Sequence, residues 1–388
     1  MSEEREIVIV GGGPAAHAAA EAYRDAGGTL AVRILAAELE LPYERPPLTK
    51  EYLRGESSRG DLLLAHSDWY RERGVEVECD AEVAELDLGV GEARGADGRL
   101  WRFDRCLLAT GARPLVPDIP GTEGPDVRIV RTIADAEQLR ALAECSVIVV
   151  GSGFIGCEAA ASLAMLGARV TLATIEESPQ VERLGPEVAE RIEDWLAERG
   201  VELLAGASLA AVDAGPGGSV ARFEDRREHG ADAVVLALGI ARNDELAAKA
   251  GVEVDDGVLV DAAMVSSHPR LLACGDVAAA QNAAAGRRLR VEHWGEALNM
   301  GEVAGRTLAA REARWDVAPG FWSTIGDKTL KYVGWGEDWE EVRFEPGAGE
   351  DFVARYGRGG ELVGVLAHED DDAYERGRGE VEERAAWS

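Results

Sequence analysis

The chain has only five cysteines in 388 residues: Cys79, Cys106, Cys145, Cys157 and Cys274. No two of them stand in C-x-x-C or C-x4-C spacing, which excludes a vicinal redox disulfide. The same scatter leaves no thiol cluster for a metal, so no metal site is expected and all five read as small buried hydrophobes. Lysine is nearly absent, with Lys50, Lys249, Lys328 and Lys331 the only four. A net charge of -31 excludes nucleic acid and anionic membrane as partners for the overall surface. No apolar run is long enough to span a bilayer. The acidic start MSEEREIVIV runs straight into a strand instead of a signal peptide, so a cytoplasmic location is expected.

What is present is a globular composition, 46% hydrophobic, at a length that predicts two or three domains. Two glycine-rich turns stand out. In the first, a strand over Glu6–Val10 leads to Gly11-x-Gly13-x-x-Ala16 and an alanine-rich helix reaching about Ala26. The next strand, Leu30–Leu35, leads to Glu38. A strand before, a helix after and an acid beyond the next strand define a dinucleotide-binding turn. Gly11 permits the tight turn, Gly13 lets backbone approach a pyrophosphate, and Ala16 permits close helix–strand packing. N–H groups at the helix start hold the negative charge, and Glu38 accepts from ribose hydroxyls. The second turn repeats this anatomy: strand Ser146–Val150, then Gly151-x-Gly153-x-x-Gly156, a helix to about Leu166 with Gly167 as C-cap, and strand Arg169–Ala173. Here the ribose position falls on Thr174, followed by Glu176 and Glu177, and ATIEESPQ offers no cation for a 2′-phosphate. This favours NADH over NADPH. Two such units predict two dinucleotides, flavin plus nicotinamide, or else a duplicated domain binding one nucleotide twice.

Further motifs follow in order: YERPPLTKEYL from Tyr43, LATGARP from Leu108, ALGIARN from Ala237, ACGDVA from Ala273, RVEHWGEALNMG from Arg290 and FWSTIGDKTLKYVG from Phe321. Together they resemble the FAD-dependent NAD(P)H:ferredoxin reductases, pyridine nucleotide-disulphide oxidoreductases without the redox disulfide. The resemblance covers nearly the whole chain. It implies an α/β fold with two Rossmann-like dinucleotide-binding domains and a small α+β C-terminal domain. The FAD domain would be split between 1–112 and 240–312, with the NAD domain inserted at 113–239 and the C-terminal domain over 313–388. GTEGPD (Gly121–Asp126) reads as a linker and GPGG (Gly215–Gly218) as a hairpin turn. The acidic tail from Glu369 reads as a solvated helix or a partly disordered segment.

Residue by residue, the resemblance places Lys50 and Glu158 beside the flavin N5, from opposite domains, as the catalytic pair; a structural salt bridge between domains is the alternative. It assigns Gly11, Gly13, Ala16, Glu38, Arg45, Lys50, Val83, Thr110, Gly111, Asp276, Glu292, His293, Trp294 and Trp322 to FAD. It assigns Gly151, Gly153, Phe154, Ile155, Gly156, Glu158, Thr174 and Gly239 to NAD. Asp276 reads equally as an N-cap for a helix over DVAAAQ, and core packing is a stronger alternative for Trp322 than for Trp294. His293 stands where the family is often small or hydroxylated, and Asn299 where it often has glutamine, which weakens a flavin contact there. Lys328, Lys331, Arg287, Arg288 and Arg290 form either a basic patch for an acidic iron–sulfur partner or ordinary solvated surface. The expected activity is reduction of FAD by NADH, then electron delivery to a ferredoxin serving a Rieske oxygenase or a P450, by a monomer or homodimer. An oxygen-using NADH oxidase and a redox-sensing flavoprotein are the alternatives.

Overall fold

The computed structural model describes residues 6–215, 217–336 and 338–387. Met1–Arg5 of the acidic start and Pro216 of the GPGG turn therefore lie outside the described residues. Two five-stranded parallel sheets carry the two glycine turns. The first sheet runs Leu271–Ala273, Arg105–Leu108, Glu6–Val10, Ala31–Leu35, Val75–Glu78. The second runs Glu202–Leu204, Arg169–Ala173, Ser146–Val150, Ala233–Leu236, Val127–Arg128. Their central strands are almost wholly buried apolar runs, as parallel strands covered on both faces require. Each unit also carries a three-stranded antiparallel sheet, Val83–Asp87, Glu92–Gly95 and Leu100–Arg102 in the first, Leu209–Gly215, Gly218–Phe223 and Glu228–Ala231 in the second. The strands on either side of GPGG pair antiparallel, Gly215 with Gly218.

The edge strands differ in origin. The first sheet takes Leu271–Ala273 from beyond the second unit, paired parallel to Arg105–Leu108. The helix that follows, Trp294–Leu308, packs on the first turn's helix, Pro14–Asp25. Gly301 and Gly305 make this contact possible: a Cβ there would lie 2.6 Å from the Ala15 carbonyl and 2.2 Å from that of Ala19. The chain ends in a five-stranded antiparallel sheet, ordered Gly320–Ile325, Lys328–Gly334, Glu361–His368, Phe352–Arg358, Glu341–Pro346. The acidic tail forms the helix Asp371–Glu382, which buries Ala373, Tyr374 and Val381 and is not merely solvated.

Three of the five cysteines are buried and two, Cys79 and Cys145, half-buried; all are free. Burial pushes the thiols of Cys106, Cys157 and Cys274 well up, so they are inert packing groups. Among the described residues, no three metal-ligating side chains cluster, and no helix is long and apolar enough to cross a membrane.

Candidate functional site

The two glycine turns open onto one cavity of about 910 Å³, walled also by the loop Arg45–Lys50 and by Phe321 and Trp322 of the C-terminal sheet. At the first turn Gly11 has φ +124°, and a Cβ there would meet the Ala109 carbonyl at 2.1 Å. Gly151 repeats this, with φ +105° and Ala237 O at 2.3 Å. Gly13 and Gly153 have nothing within 4 Å of an added Cβ, leaving open space before each helix N-terminus. That combination, backbone locked on one side and open on the other, fits a pyrophosphate at each turn.

The first unit's loop supplies charge in a fixed array. The Arg45 guanidinium donates to Glu38 at 2.6 Å, to Tyr43 Oη at 3.0 Å and to the Arg131 carbonyl at 2.7 Å. Tyr43 donates to the other Glu38 oxygen at 2.5 Å. Val83 lines the same cavity. Thr110 Oγ1 donates to the Asn243 carbonyl and Asn243 returns a bond to Thr110 O, at 2.8 and 2.9 Å. Gly111 beside them adopts φ +63°. Asp276 lines the cavity and pairs with Arg131 at 3.0 Å. It caps no helix: Gly275–Val277 is a short 3-10 turn and Ala278–Asn282 is a strand, because three alanines there fill a tight parallel pairing with Val258–Val260.

Lys50 and Glu158 meet deep in the wall at 2.7 Å, with side chains 7% and 6% exposed. A buried pair survives only if the remaining lone pairs are also satisfied. Here Thr49 Oγ1 donates to the same carboxylate oxygen as Lys50, at 2.5 Å. Ser323 Oγ and the Thr324 N–H donate to the other, at 2.7 and 3.2 Å. One carboxylate thus ties the first unit's loop, the second unit's helix and the C-terminal sheet.

The aromatic wall follows. Trp294 meets Trp322 edge-on at 5.5 Å between centroids, and Trp322 remains 40% exposed. His293 packs on Phe321 at 4.6 Å, and Phe154 on Phe321 at 4.7 Å. Burial, with Arg183 nearby, lowers the His293 pKa to about 4, so its imidazole is neutral. Its Nδ1 and the Trp294 Nε1–H are buried with no partner among the described residues. Such orphans on a cavity wall suit a polar, planar ligand. Glu292 stands at the mouth paired with Arg242. Loss of solvent raises its pKa, and Arg242 only partly opposes this.

Several expected residues lie elsewhere. Ala16, Gly151, Gly156 and Thr174 do not line the cavity, whereas Gly11, Gly13, Gly153, Phe154, Ile155 and Gly239 do. Gly156 serves packing, since a Cβ would fall 1.9 Å from Gly151 O. Thr174 is 2% exposed and turned inward onto Ser152. Asn299 is off the cavity and donates to Glu296, one turn away on the same helix face. The basic patch is not assembled as free charge. Lys328 pairs with Glu350, Lys331 with Asp371, and Arg290 with Asp255 and Asp256. Among the polar cavity residues that were missed from sequence are Thr49, Arg131, Arg183 and Asn243. Arg131 had a local signal, preceding the capping box Thr132–Asp135 that fixes its backbone.

With this geometry described, comparison with known proteins gives the class. The pyridine nucleotide-disulphide oxidoreductase profile matches residues 5–301, and the chain belongs to that family. It is therefore an oxidoreductase of a family that uses FAD and NAD(P). More particularly, it is 33% identical over 370 residues to the ferredoxin–NAD(+) reductase component of the anthranilate 1,2-dioxygenase system of Burkholderia cepacia, covering 93% of this chain and 90% of that protein. It is 30% identical over 342 residues to the rubredoxin–NAD(+) reductase of Pseudomonas putida, covering 87% and 88%. The crystal structure of the covalent putidaredoxin reductase–putidaredoxin complex matches with a TM-score of 0.92 at 28% identity, covering 98% of this chain and 93% of that one. The resemblance read from the motifs and the α/β fold with two Rossmann-like units are borne out.

Proposed function

We propose that the chain is an NADH-dependent FAD reductase that passes electrons to a ferredoxin-type iron–sulfur protein serving an oxygenase. The observation that carries this is the single cavity shared by both glycine turns, with the Lys50–Glu158 pair in its wall. The division into 1–112 with 240–312, 113–239 and 313–388 is supported by the sheet order, since Leu271–Ala273 returns to the first sheet. FAD, when bound, accepts a hydride from nicotinamide and releases electrons singly. The residues present fit it: the first helix N-terminus would hold the pyrophosphate, Glu38 the ribose and Asp276 the ribityl chain. Thr110, Gly111, Glu292, His293, Trp294 and Trp322, which line the cavity, would enclose the ring system. Lys50 is held as a fixed, desolvated cation and Glu158 as its counter-charge, so that the pair sets the local field. The second turn, with Gly153, Phe154, Ile155 and Gly239, receives the nicotinamide dinucleotide.

NADH is favoured over NADPH because the loop Thr174–Gln180 has two carboxylates and no cation. The relatives' named partners, ferredoxin and rubredoxin, support the acceptor class. Anaerobic stopped-flow absorbance tests the reading. NADH is expected to bleach the flavin band rapidly and NADPH much more slowly, and added ferredoxin to carry electrons on to cytochrome c. A protein that takes up no flavin, or whose flavin neither nucleotide reduces, overturns it.

A further inference from the structure

One strand of the C-terminal sheet lies along the second unit's helix and meets it at two points. Phe154 and Glu158 stand one turn apart on that helix, with Ser162 a further turn on. A four-residue step along a helix is about 6 Å. Phe321 and Ser323 are alternate residues of the strand Gly320–Ile325, and a two-residue step along a strand is about 6.6 Å. The two spacings match. Phe321 packs on Phe154 at 4.7 Å between ring centroids, and Ser323 Oγ donates to Glu158 Oε1 at 2.7 Å. Ser162 continues the same helix face by donating to the Thr49 carbonyl at 2.7 Å.

A serine at 323 needs a reason. Its alternate neighbours on the strand are Phe321 and Ile325, and it is 1% exposed. A buried hydroxyl is costly unless bonded, and Glu158 is this hydroxyl's one partner among the described residues. Its backbone is fixed: Ser323 pairs with Leu330 and Thr324 with Thr329 across the hairpin, where the two threonine hydroxyls bond at 2.9 Å. An ionised carboxylate has about four acceptor sites. Here each oxygen takes two donors, Lys50 and Thr49 on Oε2, Ser323 and the Thr324 N–H on Oε1. The sheet therefore holds one oxygen and leaves the other to Lys50. The ammonium gives one hydrogen to Glu158 at 2.7 Å, has only a 3.5 Å contact with Thr49 Oγ1, and lines the cavity. A carboxylate released at Oε1 can turn and take a second hydrogen from Lys50, drawing the ammonium away from the cavity.

We propose that Ser323 is a positioning residue for the flavin chemistry: through Glu158 Oε1 it fixes the Lys50–Glu158 pair so that the ammonium stays available to the cavity. This rests on the reading above that the flavin binds beside that pair. Ser323 touches neither nucleotide in this account and acts only through the carboxylate.

The test uses the flavin-loaded protein. The flavin midpoint potential is read by anaerobic equilibration with a reference dye, NAD+ affinity by flavin absorbance, and the limiting rate of flavin bleaching by NADH by stopped flow. Ser323→Ala is expected to shift the flavin equilibrium about tenfold toward the oxidised form, ~30 mV for a two-electron couple. It is expected to slow limiting bleaching about tenfold and keep NAD+ affinity within about twofold of the parent. Ser323→Thr keeps the hydroxyl on a residue suited to a strand and is expected to restore potential and rate to within about twofold. Ser323→Cys, a weaker donor of similar size, is expected to fall between. Ser162→Ala removes an equally buried hydroxyl from the same helix face without touching the carboxylate, and is expected to keep the parent potential and rate. A Ser323→Ala protein with the parent potential and limiting rate, or a Ser162→Ala protein that shifts as far, overturns the assignment alone. A parent protein that takes up no flavin overturns the function reading and the assignment with it.

Discussion

The first and second glycine turns share backbone hydrogen-bond register, yet several of the side chains that face a neighbour have changed. Ala18 on the first helix stands where Glu158 stands on the second, His17 where Cys157 stands, and Gly12 with Ala36 where Ser152 stands with Thr174. The first turn is the more enclosed. Its acid is clamped by Arg45 and Tyr43, and its helix is covered by Trp294–Leu308. The second leaves one Glu176 oxygen without a partner among the described residues, and Ile155 and Ile175 exposed, 44% and 75%. A turn that retains its ligand and a turn that releases one can thus be built on one scaffold. What differs is how far polar groups are satisfied within the protein before any ligand arrives.

Making the units alike at Glu158 breaks the comparison most severely. Glu158→Ala, which copies Ala18, leaves Lys50 buried without a counter-charge and is expected to cost ~3–5 kcal/mol. Urea unfolding of the flavin-loaded protein, monitored by fluorescence, measures this. Glu158→Gln keeps one acceptor oxygen for the donors around it, though its amide N–H2 faces the others, and is expected to lose less than Glu158→Ala.

The next contrast is His17, buried against Tyr70 Oη at 2.9 Å where the second helix carries an inert thiol. Burial, then Arg73, lowers its pKa to about 4. The unfolded chain binds a proton at about 6.5 and the folded one only near 4. The folded state is therefore favoured above pH 6.5, loses stability as pH falls from 6.5 towards 4, and levels below that. His17 contributes up to ~3 kcal/mol of this. His17→Asn is expected to flatten the slope of stability between those pH values, measured by denaturant titration at each pH.

The smallest effect is at the hydroxyl pair. Thr174→Val strands the Ser152 hydroxyl and the Glu176 N–H and is expected to cost ~1–3 kcal/mol. Ser152→Ala with Thr174→Val, removing both hydroxyls as the first unit does, is expected to cost less than the two single changes added together. A double-mutant cycle on melting temperature reads the difference.

The sequence carried the larger contours of this molecule. Both turns, their strands and helices and the Lys50–Glu158 meeting were legible, since glycine spacing and apolar runs are local signals and the motif order did the rest. Asp276 was misjudged as a possible helix cap because DVAAAQ has helical composition. Pairing with Val258–Val260 overrides that propensity, and no local signal announces a partner strand so near in sequence. Thr174 was taken for the ribose position by counting from the strand end. The bonds from Asp80 N–H to Glu38 O at 3.0 Å and from Gly206 N–H to Glu176 O at 3.1 Å show that Glu176 matches Glu38 in the backbone. The choice between a basic patch and solvated surface was open for a similar reason: the ion-pair partners Glu350 and Asp371 come from a loop and from the start of the helix Asp371–Glu382, and composition cannot place them.

The central claim is that one turn retains FAD and the other admits a visiting dinucleotide. Gly151→Ala tests it most directly, because a Cβ there at φ +105° would press on the Ala237 carbonyl at 2.3 Å. The variant is expected to purify with its flavin and to bleach with dithionite but not with NADH, while Gly11→Ala purifies without flavin. A Gly151→Ala protein that loses flavin as Gly11→Ala does, or that NADH still bleaches at the parent rate, would contradict the account.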